Sequence, residues 1–213
     1  MKLIEMTLLE FLDKVDCDTA VPGGGSVAAL SASLGAALSG MVAKLTLPKK
    51  RFLALDDEIK NKFIHHLETV GKIKSELTTL IDKDTEAYQM IIDAYKLPKT
   101  TEKEIHVRQE KVLEGTKAAI KVPFQVAMLS LEAMRLLDLF LTIGNPSAAS
   151  DLGVACLMLD AAIHGAILNV RTNLSGLDQD VTKMFYTNNI EAMLKESESI
   201  KLAFMKRILE KMN

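Results

Sequence analysis

The stretch AVPGGGSVAALSASLGAALSGMVAKLTL, residues 20–47, decides the fold of this chain. It opens with a proline and three consecutive glycines, Pro22, Gly23, Gly24 and Gly25. This composition predicts a turn whose backbone N–H groups are not shielded by side chains. Ser26 is suited to be the N-cap of a helix, and residues 27–43 carry no charge. We therefore expect a long apolar helix that begins at an open glycine turn and ends before Pro48.

Two stripes of side chains run along this helix at helical spacing. One stripe is aliphatic and consists of Leu30, Leu34, Leu38, Val42 and Leu45. The other is made of small residues, namely Ala29, Ser33, Ala36, Gly40 and Ala43. A helix that is apolar on both faces is expected to be buried on both, and the small stripe allows a neighbouring backbone to approach closely. A membrane span is the alternative, but the uncharged run is at the short limit for one and no aromatic anchors flank it.

The composition favours an all-α protein that forms a single domain over residues 1–213. Among 213 residues there are only 11 Gly and 5 Pro, and the formal net charge is −2, with both signs interspersed. No basic block indicates nucleic acid, and no basic amphipathic face indicates a membrane. The two cysteines form neither a disulfide pattern nor a metal motif, which fits a reducing cytoplasm. The fold expected is a bundle of long helices around two central apolar helices.

The long helix predicted after Asp56 contains a carboxylate where its apolar pattern calls for a hydrophobic residue. Apolar residues recur in register from Ile59 to Tyr95, and Asp84 occupies one position of that register. A carboxylate on a buried face is costly unless it is paired or hydrogen-bonded. Asp84 is therefore either a structural hydrogen-bonding residue or part of a functional site.

A second helix of small and aliphatic residues follows the turn GNPS at residues 144–147. Its polar residues are Asp151, Asn169, Arg171 and Asn173, and we expect His164 to be a satisfied core histidine. Asp151 and Asn169 share a face but lie about 27 Å apart along the axis. They could serve one long ligand or two separate sites, and Asp151 could equally be a plain partner of the helix dipole. The arginine between two amides is a pattern that recognises carboxylates and heterocycle edges.

Cations cluster at the end of the first apolar helix, where Lys44 is followed by Lys49, Lys50 and Arg51. They could compensate the helix dipole, or they could form the mouth of a site for an anion. If the two apolar helices run parallel, Arg171 joins these cations. If they run antiparallel, Arg171 lies beside the glycine turn and Lys44 lies with Asp151.

These segments resemble one known family. The motifs FLDKV, AVPGGGSVAALSASLGAALSGMVAKLTL, DKDTEAY, AYKLP and SDLGVACLMLDAAIHGAILNVRTNL are similar, in this order, to those of the formiminotransferase-cyclodeaminase C-terminal domain family. The resemblance covers nearly the whole chain. It implies an all-helical, dimeric fold and one-carbon chemistry on tetrahydrofolate.

The resemblance implies one of two reactions. The first is the cyclodeamination of 5-formiminotetrahydrofolate to 5,10-methenyltetrahydrofolate and ammonia, and the second is the hydrolysis of the methenyl compound to 10-formyltetrahydrofolate. Either needs a positioned acid or base, for which we select Asp84 and Asp151. Folate is a long dianion, so we expect the cations to bind its glutamate tail: Lys44, Lys49, Lys50 and Arg171. The glycine turn with Ser26, and the amides Asn169 and Asn173, complete the expected substrate site.

Neither reaction requires a metal or a cofactor other than the folate substrate, and the sequence contains no cluster of metal ligands. A catalytically silent helical protein that binds a ligand is the alternative of a different class. We expect a cytoplasmic homodimer with its small-residue helices near the subunit contact. Gly40 and Gly165 are the positions where a leucine should overpack that contact.

Overall fold

The computed structural model describes residues 1–177 and 181–212. Over these residues the chain is all-α, as expected, with no β-strand and two short 3-10 turns at Leu3–Glu5 and Pro146–Ala148. The α-helices are α1 (Leu8–Val15), α2 (Gly24–Thr46), α3 (Lys50–Leu53), α4 (Asp57–Lys96), α5 (Glu102–Ile143), α6 (Ala149–Leu174) and α7 (Val181–Met212).

Two of the helix starts follow directly from capping boxes in the sequence. The side chain of Thr7 accepts from the N–H of Glu10, and the carboxylate of Glu10 accepts from the N–H of Thr7 at 2.7 Å. Thr101 and Glu104 form the same reciprocal pair at the start of α5. Such pairs satisfy N–H groups that have no partner inside the helix, which is why these two starts are predictable.

The start of α2 differs from the expectation. Gly23 is the N-cap and the helix begins at Gly24, so Ser26 lies inside the first turn and is fully buried. The hydroxyl of Ser26 donates to the carbonyl oxygen of Ile81 at 2.8 Å. The prediction of Ser26 as the N-cap was wrong, because its hydroxyl faces α4 and finds a carbonyl there.

Helices α2 and α6 are the centre of the bundle and run antiparallel. Gly24 at the start of α2 lies beside Asn169 near the end of α6, whereas Gly35 lies beside Ala155 and Leu159. A methyl group built on Gly35 would lie 2.8 Å from Leu159 Cγ and 3.0 Å from the carbonyl oxygen of Ala155. The absence of a side chain at Gly35 therefore allows α6 to pack closely on α2, whereas a methyl group built on Gly40 would meet only Leu67 of α4, at 4.0 Å.

The remaining long helices surround this pair. Helix α4 packs on α2, α5 packs on α4 and α6, and α7 packs on α6. The inward side of α7 includes Ile190, Met193, Phe204 and Ile208, which are all buried. The largest fully buried side chains include Phe63, Leu77, Leu137, Phe140 and Ile163.

One side of the central pair is not covered within the chain. On α2, Leu34 and Leu45 are each 46% exposed, and on α6, Leu168 is 63% exposed. The expectation that both helices would be buried on all faces is therefore wrong for a single chain. Both helices are long and apolar enough to cross a membrane by length and composition alone, although more than half of each apolar stretch is buried inside the bundle.

Candidate active site

Asp84 lies directly against the glycine turn at the start of α2. A methyl group built on Gly25 would meet the carboxylate of Asp84, with Oδ1 at 2.1 Å and Oδ2 at 2.5 Å. The hydroxyl of Ser26 lies 3.4 Å from Asp84 Oδ2 and 3.3 Å from Thr85 Oγ1. The glycine at position 25 therefore leaves the space that the carboxylate occupies.

The position of Asp84 follows from its register on α4. Ile81 and Ala87, one turn to either side, are both buried against the core. Because its surroundings are largely apolar, desolvation raises the pKa of the Asp84 carboxyl above its usual range, and hydrogen bonds from the backbone and side chain of Ser26 partly oppose this rise. Asp84 is thus a carboxyl group that holds its proton at a higher pH than an exposed aspartate.

The start of α2 adds an electrostatic feature at the same place. The first hydrogen bond from the body of α2 to its N-cap runs from the N–H of Val27 to the carbonyl oxygen of Gly23 at 3.1 Å. The N–H groups of Gly24 and Gly25 precede it, so they have no carbonyl partner within the helix. A helix start favours negative charge by its dipole, so it can accommodate an anionic or carbonyl oxygen next to Asp84.

The two predicted amides on α6 have different roles. Asn169 covers the turn, because its Nδ2 would lie 3.4 Å from a methyl group built on Gly24. That Nδ2 donates to the carbonyl oxygen of Gly165 within α6 at 2.9 Å, which fixes the side chain. Asn173 instead donates to the carbonyl oxygen of Ala119 at 2.7 Å and ties α6 to α5.

Asp151 is at the opposite end of the bundle. It lies in the first turn of α6 and is partly buried, and Asn169 is about 27 Å away along the helix axis. Because α2 and α6 are antiparallel, the end of α2 with Lys44 lies near Asp151, and the glycine turn does not. The two carboxylates selected from the sequence therefore do not share one reaction centre.

The predicted cations also divide between the two ends. Lys44, Lys49 and Lys50 are exposed at the end of α2 and beyond it. Arg171 lies near the end of α6, where its Nη2 is 2.5 Å from Glu191 Oε1 on α7. The antiparallel alternative is thus the correct one, and a single group of four cations does not form. Arg51 donates to the carbonyl oxygens of Ile143 and Gly144 at the end of α5.

His164 is not the core histidine that we expected. Its side chain is 49% exposed, and its Nε2 lies 3.7 Å from Asp160 Oδ1. The buried residue of this group is Asp160, whose Oδ2 accepts from Lys201 Nζ at 2.7 Å. Desolvation and the Asp160 carboxylate raise the pKa of the nearby Cys156 thiol to about 12, which makes it unreactive. Within the part of the chain that the structure describes, no three metal-ligating side chains are grouped to hold an ion.

Sequence reasoning missed several residues that face each other between α2 and α4. Thr85 approaches Ser26, and a groove of about 530 Å³ is bordered by Gly40, Lys44, Gly71 and Lys74. The only signal for the groove was a glycine within a long helix, Gly71, which is unfavourable without a packing reason.

In this all-α fold the partly buried carboxyl group of Asp84 on α4 lies against the start of the central helix α2. This arrangement defines a candidate enzyme for a small polar substrate. Residues 7–210 match the model of the formiminotransferase-cyclodeaminase family, and the chain belongs to this family. The earlier resemblance is thereby confirmed.

Individual relatives cover the chain almost completely. It is 33% identical over 207 residues to a methenyltetrahydrofolate cyclohydrolase from Methylorubrum extorquens, covering 97% of this chain and 98% of that one. It is 34% identical over 197 residues to the formimidoyltransferase-cyclodeaminase of Rattus norvegicus, covering 92% of this chain but only 36% of that larger protein. The crystal structure of a formiminotetrahydrofolate cyclodeaminase from Thermotoga maritima matches with a TM-score of 0.77 and 25% identity, over 97% of this chain and 96% of that one.

Proposed function

We propose that this chain converts 5-formiminotetrahydrofolate to 5,10-methenyltetrahydrofolate and ammonia, with Asp84 as the acid and base. The observation that carries this proposal is the Asp84 carboxyl group, which has a raised pKa and lies against the start of α2. Family membership supports the substrate class, and both reactions named among the relatives act on tetrahydrofolate derivatives.

In the proposed reaction one proton moves from N10 to the departing amino group, and the carbon exchanges its bond to that amino group for a bond to N10. N10 of the folate attacks the carbon of the protonated formimino group, which closes a five-membered ring and leaves an amino group on that carbon. Asp84 takes the proton from N10 and delivers a proton to the amino group, which departs as ammonia. A carboxyl group can do both steps best when its pKa is close to the working pH, and the desolvation of Asp84 moves its pKa in that direction.

Neighbouring groups are proposed to hold the substrate. The N–H groups of the glycine turn, Gly23 to Gly25, can bind an oxygen of the pterin, since a helix start attracts negative charge. The amide of Asn169, held by Gly165, can bind a heterocycle edge above that turn. The ionised form of Asp84 also stabilises the cationic methenyl product.

The distant groups are proposed to bind the rest of the ligand. Lys44, Lys49 and Lys50 are exposed cations near Asp151, and they suit the carboxylates of the glutamate tail. Asp151 then contributes to the affinity for the substrate and not to the chemical step, because it lies far from Asp84. Asn173 and Arg171 make contacts within the protein, which favours structural roles for both.

Hydrolysis of 5,10-methenyltetrahydrofolate is the second candidate, because the relative that matches over the full length of both chains carries that name. In this reaction the Asp84 carboxylate would take a proton from water as the water attacks the methenyl carbon. The ring then opens at N5, which receives that proton from Asp84, while the hydroxyl group loses its proton to solvent and becomes the formyl oxygen of 10-formyltetrahydrofolate. The same carboxylate serves either reaction, so the assignment depends on which substrate is turned over.

Supplying both substrates to the purified chain tests the proposal. Methenyltetrahydrofolate absorbs in the near ultraviolet, so its formation from the formimino compound and its loss by hydrolysis are both visible. Formation with matching release of ammonia supports the cyclodeaminase, whereas loss above the uncatalysed rate supports the cyclohydrolase. Turnover of neither compound, with folate still bound, would leave the silent binding protein as the correct alternative.

We also propose that the chain works as a homodimer in the cytoplasm, without a metal or a cofactor other than its substrate. The uncovered apolar side of α2 and α6, which includes Leu34 and Leu168, supports a contact with a second copy. A net charge of −2 with interspersed signs gives no reason to expect binding to nucleic acid or to a membrane surface.

A further inference from the structure

His164 lies in the middle of the apolar stripe that α6 leaves uncovered. The exposed side chains of this stripe recur every three or four residues, so they share one face of the helix. On α6 they are Val154, Leu157, Ala161, His164 and Leu168, and on the neighbouring stripe of α2 they are Val27, Leu34, Met41 and Leu45. We name the two stripes together the α2/α6 face. Of these residues only His164 is titratable.

The α2/α6 face has the size and composition of a contact with a second copy of the chain. Its large apolar side chains are exposed by 38% at Met41 to 63% at Leu168. At about 150–200 Å² for a fully exposed side chain of this size, they present roughly 600 Å², close to the about 800 Å² that each partner buries in a specific contact. A patch of this size is rarely left uncovered on a monomer. An apolar face without charge is also complementary to itself, as a two-fold contact requires.

A buried carboxylate oxygen beside His164 has no hydrogen-bond partner. Asp160, one turn earlier on α6, is only 8% exposed, and its Oδ2 accepts from Lys201 Nζ of α7 at 2.7 Å. Its Oδ1 is shielded from solvent and has no partner among the described residues. His164 Nε2 lies 3.7 Å from this oxygen, just beyond hydrogen-bond distance. A small rotation of the exposed ring allows Nε2–H to satisfy it.

The charges nearest to His164 are those of Asp160 and Lys201, and they cancel each other. The hydrogen bond to Asp160 raises the pKa of the Lys201 ammonium, so the pair stays ionised at any pH near neutrality. Glu198 of α7 also acts on Lys201, but it is exposed, and water screens its charge. The state of His164 therefore decides the net charge of this buried group.

The other elements packed on α6 add no further charge at this point. Residues 27–43 of α2 are uncharged. Helix α5 lies on the opposite side of α6, where Asn173 donates to Ala119, since nine residues correspond to two and a half turns from His164. Arg171, two turns further along α6, is paired with Glu191 of α7.

Covering the α2/α6 face has opposite consequences for the two states of His164. The neutral ring donates to Asp160 Oδ1 and adds no charge to the contact. The protonated ring adds one positive charge, which water solvates on an open face but which an apolar contact leaves uncompensated at a high cost. A two-fold contact contains each group twice, so protonation places two such charges in it.

We propose that protonation of His164 weakens the contact between two copies at the α2/α6 face, so that the dimer dissociates as the pH falls below 7. This rests on the homodimer proposed above and adds its regulation. The net charge of the chain would act in the opposite direction, because protonation moves the value of −2 towards zero and reduces the repulsion between copies. A dimer that weakens on acidification therefore requires a charge within the contact.

Sedimentation equilibrium at pH 7.5 and pH 6.0 tests the proposal. Because two protons are taken up for each dimer that dissociates, the dissociation constant of the wild type should rise by about tenfold between these values. His164→Gln stays neutral and can still donate to Asp160 Oδ1, so its dissociation constant should be the same at both. His106→Gln is the control, because His106 is a histidine on α5 whose side chain is 72% exposed, and it should keep the response of the wild type. Circular dichroism confirms that each variant is folded at both pH values.

The other outcomes are equally definite. A wild-type dissociation constant that changes less than twofold, or that falls at pH 6.0, overturns the proposal while the homodimer stands. A response that persists in His164→Gln also overturns it. If the glutamine variant is monomeric at both pH values, His164→Met repeats the test with an apolar side chain, and a monomer again would refute the proposal, which requires that a neutral residue supports the contact. A wild type that is monomeric at both pH values refutes the homodimer itself, and the folate reaction is unaffected.

Discussion

The carboxylate of Asp84 occupies the space that a side chain at Gly25 would need. A methyl group built on Gly25 would lie 2.1 Å from Asp84 Oδ1, well inside any van der Waals contact. One glycine of the turn is therefore required by a single side chain on another helix. This dependence links the glycine turn and the acidic residue, two features that lie far apart in the sequence.

Gly25→Ala should therefore impair catalysis more than stability. The added methyl group forces the Asp84 carboxylate away from the start of α2, whereas the helix itself gains about 0.5–1 kcal/mol of propensity. We expect kcat to fall by about 10²-fold or more with a circular dichroism spectrum like that of the wild type.

Gly24→Ala is the matched control, because its methyl group would meet only Asn169, at 3.4 Å from Nδ2. It should retain kcat within a few-fold. Equal losses in both variants would mean that the turn matters for its backbone and not for the carboxylate of Asp84.

Removing the proposed acid has a defined kinetic signature. Asp84→Asn keeps the shape of the side chain but cannot exchange a proton, so kcat should fall by about 10²–10⁴-fold. Asp151→Asn, at the other end of the bundle, should raise KM and leave kcat within a few-fold. Steady-state kinetics on both variants decide the matter. If both variants keep the kcat of the wild type, the carboxylate mechanism is wrong.

Asp84→Asn should also change how the stability of the folded chain depends on pH. Because desolvation raises the pKa of Asp84 in the folded chain above its reference value of 3.8, the folded state binds more protons than the unfolded state over the interval between the two values. Stability is therefore fully present below pH 3.8 and is lost as the pH rises through the folded pKa. Asp84→Asn removes this loss, so its melting temperature should exceed that of the wild type at pH 7 but not at pH 3.5. An equal difference at both pH values would contradict the assignment of the raised pKa.

The sequence was sufficient for the parts of the fold that depend on local signals. The capping boxes at Thr7 and Thr101 placed two helix starts, and Pro48 placed the end of α2. The interrupted register singled out Asp84, because a carboxylate at a core position is visible in a single helix. The apolar register ran on to Tyr95, but beyond Asp84 the structure departs from it. The buried residues there are Ala87 and Ala94, whereas Tyr88 and Tyr95 are exposed. The size of a side chain does not by itself decide whether it faces the core.

The arrangement of the site depended on how the helices pack, which one sequence does not determine. The pattern of α2 and α6 allowed a parallel or an antiparallel pair, and only the antiparallel one brings Asn169 to the glycine turn. Lys74 carried no local signal, because an exposed lysine on a long helix is ordinary until the opposite helix is placed. His164 and Ser26 were misjudged for the same reason, as their surroundings come from other helices.

Gly35 should tolerate a side chain poorly, because it packs against α6 in the core. Its added methyl group would lie 2.8 Å from Leu159 Cγ and 3.0 Å from the carbonyl oxygen of Ala155, so the central helices would have to separate. We expect Gly35→Ala to lower the free energy of unfolding by about 1–3 kcal/mol. Gly40→Ala, whose methyl group would meet nothing closer than 4.0 Å, should be neutral or stabilising. Urea denaturation of the two variants measures the difference, and a Gly35→Ala variant as stable as Gly40→Ala would contradict the packing.

The uncovered apolar side of α2 and α6 should control the oligomeric state. Leu34 is 46% exposed on this side, and a lysine there would place a charge in the contact between two copies. Leu34→Lys should therefore sediment as a monomer at micromolar concentration, where the wild type sediments as a dimer. Met128→Lys is the control, because Met128 is 50% exposed on α5 and not on α2 or α6, and it should remain dimeric. A monomeric wild type would refute the dimer, and a dimeric Leu34→Lys would place the contact on another face.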